Sequence, residues 1–244
     1  MNKVLLVTGA SRGIGAATAK LAGTRGYDVA VNYLRDTKAA DDVVAAVKAA
    51  GQRAVAIQGD MARDADIDRT FATIDKELGR LTHLVYNAGT TGGHSRVEAA
   101  EAQTIRDTME LNVVGALLCA KAAIPRISTK HGGPGGAMVL ISSMGAVLGS
   151  PGEYVWYAAS KGAVDSMTIG LSKELAADGI RVNAVSPGII ATEIHPPGRI
   201  ERIAPTVPMA RAGSAEEVAE TVLFLLSDAS SYTTGTNVRV AGGR

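Results

Sequence analysis

The sequence predicts an α/β protein built on a single doubly wound parallel sheet of about seven strands, with helices on both faces. Three observations predict it. Short apolar runs recur along the chain and are continuously hydrophobic, as strands are when both faces are covered. Longer amphipathic stretches separate them, so strand and helix alternate throughout. The 244 residues are 46% hydrophobic and include 28 glycines, which suits one large core and many tight turns.

The elements follow in order. "KVLLVTG" (3–9) leads into a helical stretch at 13–25, and "YDVAVNY" (27–33) into one at 37–50. "RAVAIQGD" (53–60) precedes a helix at 64–79, and "LTHLVYNAG" (81–89) a long one at 101–127. "GAMVLISS" (136–143) is followed by a helix at 154–177, and "GIRVNAVSPG" (179–188) by one at 215–227. Ser214, with Glu217 three residues on, has the spacing of a capping box for that last helix. "NVRVAGG" (237–243) is the final strand. No repeat or composition shift divides the chain, so residues 1–244 are expected to form one domain.

Two stretches break the rhythm. "KHGGPGGA" (130–137) reads as a flexible link. Residues 187–208 hold five of the eight prolines and show no clean period. A loop of this length is usually functional, so the segment at about 188–212 is expected to cover a bound substrate.

The totals exclude several classes. A formal charge of +1, from 25 basic and 24 acidic side chains, gives no footprint for nucleic acid. The single cysteine, Cys119, excludes an internal disulfide and reads as a small buried residue. The apolar stretch in "MNKVLLVTGASRG" is too short for a signal or a membrane span, so the expectation is a cytoplasmic protein with no membrane partner. His83, His94 and His131 lack metal-ligand spacing, and no metal is expected.

"TGASRGIG" (8–15) joins the first strand to the first helix. Gly9, Gly13 and Gly15 allow a sharp turn and close approach of a pyrophosphate, and Ser11, Arg12 and Ile14 share that turn. The second strand ends at Asn32 and Tyr33, with Arg35 just beyond and Asp36 placed as a helix cap. An acid at the strand tip would favour NAD. Arginines favour the 2′-phosphate, so Arg12 and Arg35 indicate NADP in preference to NAD. In "YAASK", Tyr157 and Lys161 lie one helical turn apart on one face.

"TGASRGIG", "HLVYNAG", "LNVVG", "ISSMG", "YAASK" and "VSPG", in that order, closely resemble the short-chain dehydrogenase/reductase family in its shorter-chain form. The likeness covers essentially the whole chain, and the pattern looks most like 3-oxoacyl reductase-like or glucose 1-dehydrogenase-like members. It implies a Rossmann-type sheet, a nicotinamide cofactor, a small carbonyl or alcohol substrate, and a homotetramer. The family's catalytic set falls on Asn112, Ser143, Tyr157 and Lys161. Asp60 and Met61 match the adenine-contacting position, and Asn87, Ala88 and Gly89 the motif beside the ribose. Pro187, Gly188, Ile190 and Thr192 match the segment along the nicotinamide, with Ile190 offering its backbone. His195, Pro196 and Pro197 would follow in the cover, His195 as a pocket-shaping residue. Asn112 is implied to distort its helix and keep a water for a proton relay.

The chemistry agrees. Hydride transfer leaves charge on the substrate oxygen, which needs a proton donor in reach. A free phenol, with pKa about 10, is poorly poised near neutrality, and a cation one turn away is expected to lower it. Ser143 would hold the oxygen toward Tyr157. Departures remain. Tyr86 replaces the first of two asparagines, the Ser143–Tyr157 spacing is one residue long with "SPGEYVW" as the insertion site, and Ser142 rivals Ser143. Ala241 stands where many members have aspartate, a change expected to bear on subunit packing. The alternatives are an NAD-preferring sugar or polyol dehydrogenase and a non-catalytic dinucleotide-binding regulator.

Overall fold

Among the described residues, seven strands assemble into one parallel sheet: β1 (Lys3–Val7), β2 (Tyr27–Tyr33), β3 (Ala54–Gln58), β4 (His83–Tyr86), β5 (Gly136–Ile141), β6 (Ile180–Pro187) and β7 (Asn237–Val240). Their order is β3-β2-β1-β4-β5-β6-β7, and every adjacent pair is parallel. This computed structural model describes residues 3–193 and 197–244. His195 and Pro196 of the expected cover lie outside the described residues.

The helices are α1 (Gly13–Thr24), α2 (Thr37–Ala49), α3 (Asp64–Glu77), α4 (Ala102–Met109), α5 (Gly115–Ile127), α6 (Gly145–Leu148), α7 (Val155–Leu175), α8 (Arg199–Ile203) and α9 (Ala215–Leu226). Because side chains alternate across a strand, Leu5 and Val7 of β1 face the core shared with α1, α2 and α9. Val4 and Leu6 face the one shared with α3, α5 and α7. Each such side chain, removed from water, contributes roughly 1.5–3 kcal/mol. The chain reverses direction across the sheet between β1 and β4, and a crevice opens at such a switch point beyond the strand ends.

The predicted elements are met with small shifts that carry meaning. The predicted strands run past the observed ladders at their C-terminal tips: residues 8–9, 59–60, 87–89 and 142–143 leave the sheet. Their backbone groups bond across the crevice rim instead, as Thr8 N does to Val85 O at 3.1 Å. β7 departs from the two-sided burial expected of it and alternates exposed with half-buried residues, since only β6 flanks it. The capping box of α9 forms, with Glu217 N bonded to Ser214 Oγ and Ser214 N to Glu217 Oε2 at 2.8 Å.

Two short helices were not expected. α6 follows β5 directly. α8 lies in the segment expected to cover the substrate, where Ile189, Ile203 and Val207 gather into a small core of their own. An Ile190–Gly213 bridge ties that segment's base to the rest of the chain.

The stretch predicted as one helix over 101–127 is α4 and α5 joined by a π-helical turn, Glu110–Val114. Such a turn frees carbonyls from the regular ladder. Leu111 O accepts from the Tyr86 hydroxyl at 2.5 Å, so the tyrosine in the asparagine position has a structural use. Gly115 is required where the helix resumes, because a Cβ there would lie 2.1 Å from Met61 O. By length and composition the 26 residues Ala102–Ile127 could cross a bilayer, but here Ala116, Cys119, Ala120 and Ala123 are buried against the sheet.

Candidate active site

The glycine loop is held from three sides. Gly9, with φ +61, takes a left-handed conformation that an L side chain rarely adopts. Its N–H donates to Asn32 Oδ1 at 3.1 Å, while Asn32 Nδ2 donates to Ile57 O and Gly59 O. Asn87 Nδ2 donates to Thr8 O and Gly9 O, and the Thr8 hydroxyl accepts from the N–H groups of Asn87 and Ala88. Gly15 is needed for close approach: a Cβ there would lie 2.5 Å from Gly9 O. Asn32 and Asn87, predicted as cofactor-binding residues, therefore shape the loop with their side chains.

The loop opens onto a cleft of about 560 Å³. Gly9, Ser11, Arg12, Gly13, Ile14, Asn32, Arg35, Asp60, Met61, Asn87, Ala88, Gly89 and Thr192 all line it. Tyr33 is a correction: it does not line the cleft. β2 alternation turns its ring into the core with Val29 and Val31, and its hydroxyl meets Thr37 Oγ1 at 3.2 Å. Sequence reasoning missed Leu34, Thr90, Leu111 and Glu193, which also line the cleft. Asp36 lines it too, yet its carboxylate is used as the α2 cap, accepting from Ala39 N at 2.9 Å as predicted.

The residues present fit a dinucleotide. Among the described residues no side chain caps α1, so the N–H groups of its first turn keep their positive partial charge for an anion. Gly13, with φ +54, takes a left-handed conformation that an L side chain rarely adopts, so the turn at the phosphate end favours glycine. Arg12 and Arg35 are exposed at the rim, and Glu193 stands 4.0 Å from Arg12. Met61 turns its sulfur away toward Cys119 at 3.7 Å. Ile190 buries its side chain in the core. Its bridge to Gly213 runs through Ile189 O and Ala191 N, which leaves Ile190's own amide and carbonyl unbonded among the described residues. Gly188 packs tightly on Ala241, whose Cα lies 2.8 Å from the Cβ position, and its N–H donates to Val240 O. Ala241 thus has a packing role within the chain.

Beyond Gly89 and Thr90 the predicted catalytic set converges. Asn112 is fully buried in the π turn. Its Nδ2 donates to Thr90 O and Ser160 Oγ, and its Oδ1 accepts from Thr90 N, each at 2.9 Å. Both amide hydrogens are used, so only an oxygen lone pair remains for a water. Ser160 in turn donates to Tyr157 O at 2.7 Å, joining the π turn to α7. Neither Thr90 nor Ser160 stood out in the sequence.

Lys161 is buried, and its Nζ donates to Ile141 O at 2.7 Å and lies 5.7 Å from the Tyr157 ring centre. Ser143 stands beside the Tyr157 phenol and acts to lower its pKa, while its Oγ accepts from Gly145 N at 2.9 Å. Ser142 is committed elsewhere: its hydroxyl donates to Asp165 Oδ1 at 2.5 Å and Lys161 O at 3.2 Å. Geometry therefore favours Ser143 over its rival.

The electrostatics correct one expectation. Tyr157 sits above its ordinary pKa because burial outweighs the neighbouring Ser143 hydroxyl and the Arg199 cation, which both act to lower it. Lys161 is depressed to about 8 by burial, with Asp165 opposing. The lysine is close to the phenol, but desolvation dominates both groups. His83 is a core residue held near pKa 4 by burial, and among the described residues no cluster could hold a metal.

Comparison with known proteins agrees with this geometry. A family model described as enoyl-(acyl carrier protein) reductase matches residues 9–244. The uncharacterised oxidoreductase YgfF of Escherichia coli is 47% identical, with 99% of each chain covered. A 3-oxoacyl-[acyl-carrier-protein] reductase of Synechocystis is 40% identical over 99% of this chain and 96% of its own. The crystal structure of a short chain dehydrogenase from Burkholderia cenocepacia in complex with NADP superposes with a TM-score of 0.91 at 34% identity, covering 99% of this chain and 97% of that one.

Proposed function

The chain belongs to the short-chain dehydrogenase/reductase family and is an oxidoreductase, and from that premise we propose that it interconverts a carbonyl and a secondary alcohol with NADP as the preferred carrier. The observation that carries this reading is the convergence of Asn112, Ser143, Tyr157 and Lys161 just beyond a cleft edged by Arg12 and Arg35. When bound, the nicotinamide supplies or accepts the hydride.

The residues then have distinct tasks. Tyr157 gives its proton to the oxygen on which charge develops in reduction, and takes it back in oxidation. Ser143 holds that oxygen by a hydrogen bond that strengthens as charge builds. Lys161 keeps one donor on Ile141 O and has two left for the ribose and the phenol. Asn112 fixes Thr90 and α7 relative to one another, so the phenol and the cofactor side of the cleft keep their spacing. Gly9, Gly13 and the α1 N-terminus would receive the pyrophosphate. Arg12 and Arg35 would receive the 2′-phosphate, a choice supported by the engagement of Asp36 as a cap. Ile190 would offer its free amide and carbonyl to the carboxamide, and the segment around α8 would cover the substrate. A homotetramer is the assembly we infer, supported by the exposed apolar residues Leu117 and Ile169 on the helices beside the site, and a cytoplasmic location fits the free, buried Cys119.

Steady-state NADPH oxidation against acyl-thioester, quinone, keto-sugar and aldehyde panels tests the reading. Tyr157→Phe should keep cofactor binding and lose about 10²–10⁴-fold in kcat. Turnover near that of the native protein in this variant would refute the assignment.

A further inference from the structure

The insertion stretch "SPGEYVW" carries Glu153, on which two arginines and a histidine converge. Its Oε1 accepts from Arg199 Nη1 and from Arg202 Nη2 at 3.2 Å, and His94 Nε2 stands 3.7 Å away. Both arginines come from α8 in the covering segment. Two guanidiniums set against one carboxylate leave one positive charge in surplus.

Arg199 is the partner of interest. Its side chain is only 10% exposed, and its Cζ lies 5.3 Å over the Tyr154 ring. That ring meets Tyr157 edge-on, with centres 5.3 Å apart, so the guanidinium stands one aromatic ring from the phenol. Its field reaches the phenol and acts to lower the tyrosine's pKa. Nη1 is taken by Glu153, but the buried Nε has no hydrogen-bond partner among the described residues. Nη2, on the same edge as Nε, bonds no other group there either. A buried donor without a partner is uncommon and costly, and an arginine at 10% exposure is a poor place to leave one.

We propose that the free Nε–Nη2 edge of Arg199 receives a carboxylate on the substrate, so that the compound reduced here is an oxo acid rather than a neutral ketone, aldehyde or thioester. This rests on the reductase reading above. A planar carboxylate meets such an edge with both oxygens, and its single charge matches the single surplus cation, whereas a phosphate dianion would overbalance it. Arg202 stays with Glu153 and keeps that carboxylate from repelling the substrate.

Matched pairs decide it. Acetoacetate and its methyl ester, and 2-oxobutanoate and its methyl ester, are compared in NADPH oxidation with the native protein, Arg199→Gln and Arg199→Lys. In parallel, the fluorescence of Trp156, the one tryptophan in the chain, reports binding of each probe in saturating NADP. The native protein should prefer at least one acid over its ester by about tenfold or more in kcat/KM, mostly through KM, and bind it more tightly by fluorescence. Arg199→Gln should erase the preference while still binding NADPH, and Arg199→Lys should restore it in part. Equal use of acid and ester, or a preference that survives Arg199→Gln, overturns the carboxylate site and leaves the reductase reading standing. A native protein that binds the acids but turns over no carbonyl overturns the reductase reading alone. One that neither binds nor reduces them overturns the site.

Discussion

Ser142 and Ser143 are neighbours with the same side chain, and the structure assigns them opposite duties that a pair of alanine variants separates. Ser142 is 2% exposed and donates to the Asp165 carboxylate at 2.5 Å. A hydrogen bond to a charged group is worth about 1.5–3 kcal/mol. The loss is moderated because Asn237 Nδ2 also donates to that oxygen at 2.7 Å. Ser142→Ala is therefore expected to cost about 2 kcal/mol, or about 4–8 °C in Tm for a chain of this size. It should reduce kcat little, since its hydroxyl does not reach the phenol. Ser143→Ala removes the hydroxyl beside Tyr157 and should lower kcat by about 10²–10³-fold, the usual cost of one oxyanion donor. Its Tm should fall by about 2–4 °C, since one net hydrogen bond, worth about 1 kcal/mol, is lost from Gly145 N at a partly exposed site. Denaturant unfolding at fixed protein concentration and steady-state kinetics measure both effects. If Ser142→Ala loses turnover while Ser143→Ala keeps it, the geometry has been assigned the wrong way round.

Replacing Arg12 and Arg35 together with alanine should weaken NADP binding by at least about tenfold while changing NAD binding little; equal losses by fluorescence titration would remove the basis for the cofactor choice. Lys161, depressed from 10.5 to about 8, releases its proton earlier in the folded protein than in the unfolded chain. The unfolded state then binds more protons between those values, so the stability of the native protein relative to Lys161→Met should rise with pH from about 8 to 10.5, by up to about 3 kcal/mol. A flat difference across that window in denaturant titrations would contradict the burial of this lysine. Tyr86→Phe leaves Leu111 O in the π turn without its donor and should cost about 1–2 kcal/mol in stability; an unchanged unfolding midpoint would show that water replaces the hydroxyl.

The sheet, its glycine loop and the pairing of Tyr157 with Lys161 were legible in the chain, because these are properties of local pattern. Continuous apolar runs demand two covered faces, glycines at a strand–helix junction demand a tight turn, and Tyr157 and Lys161 share a face through helix periodicity alone. Even the cap at Asp36 and the capping box at Ser214 were legible, since each acts within four residues. Tertiary structure decided whatever depends on partners far apart in the chain. Which face of β2 carries Tyr33 follows from its packing with Val29 and Val31. The use of Ser142 depends on Asp165, and the use of Tyr86 on Leu111. The meeting of Glu153 with Arg199 joins residues 46 apart in sequence. Desolvation belongs to this second class as well. A lysine one turn away argues for an acidic phenol, but how much water each group loses is set by the whole surrounding shell, and here that loss outweighs the nearby charge.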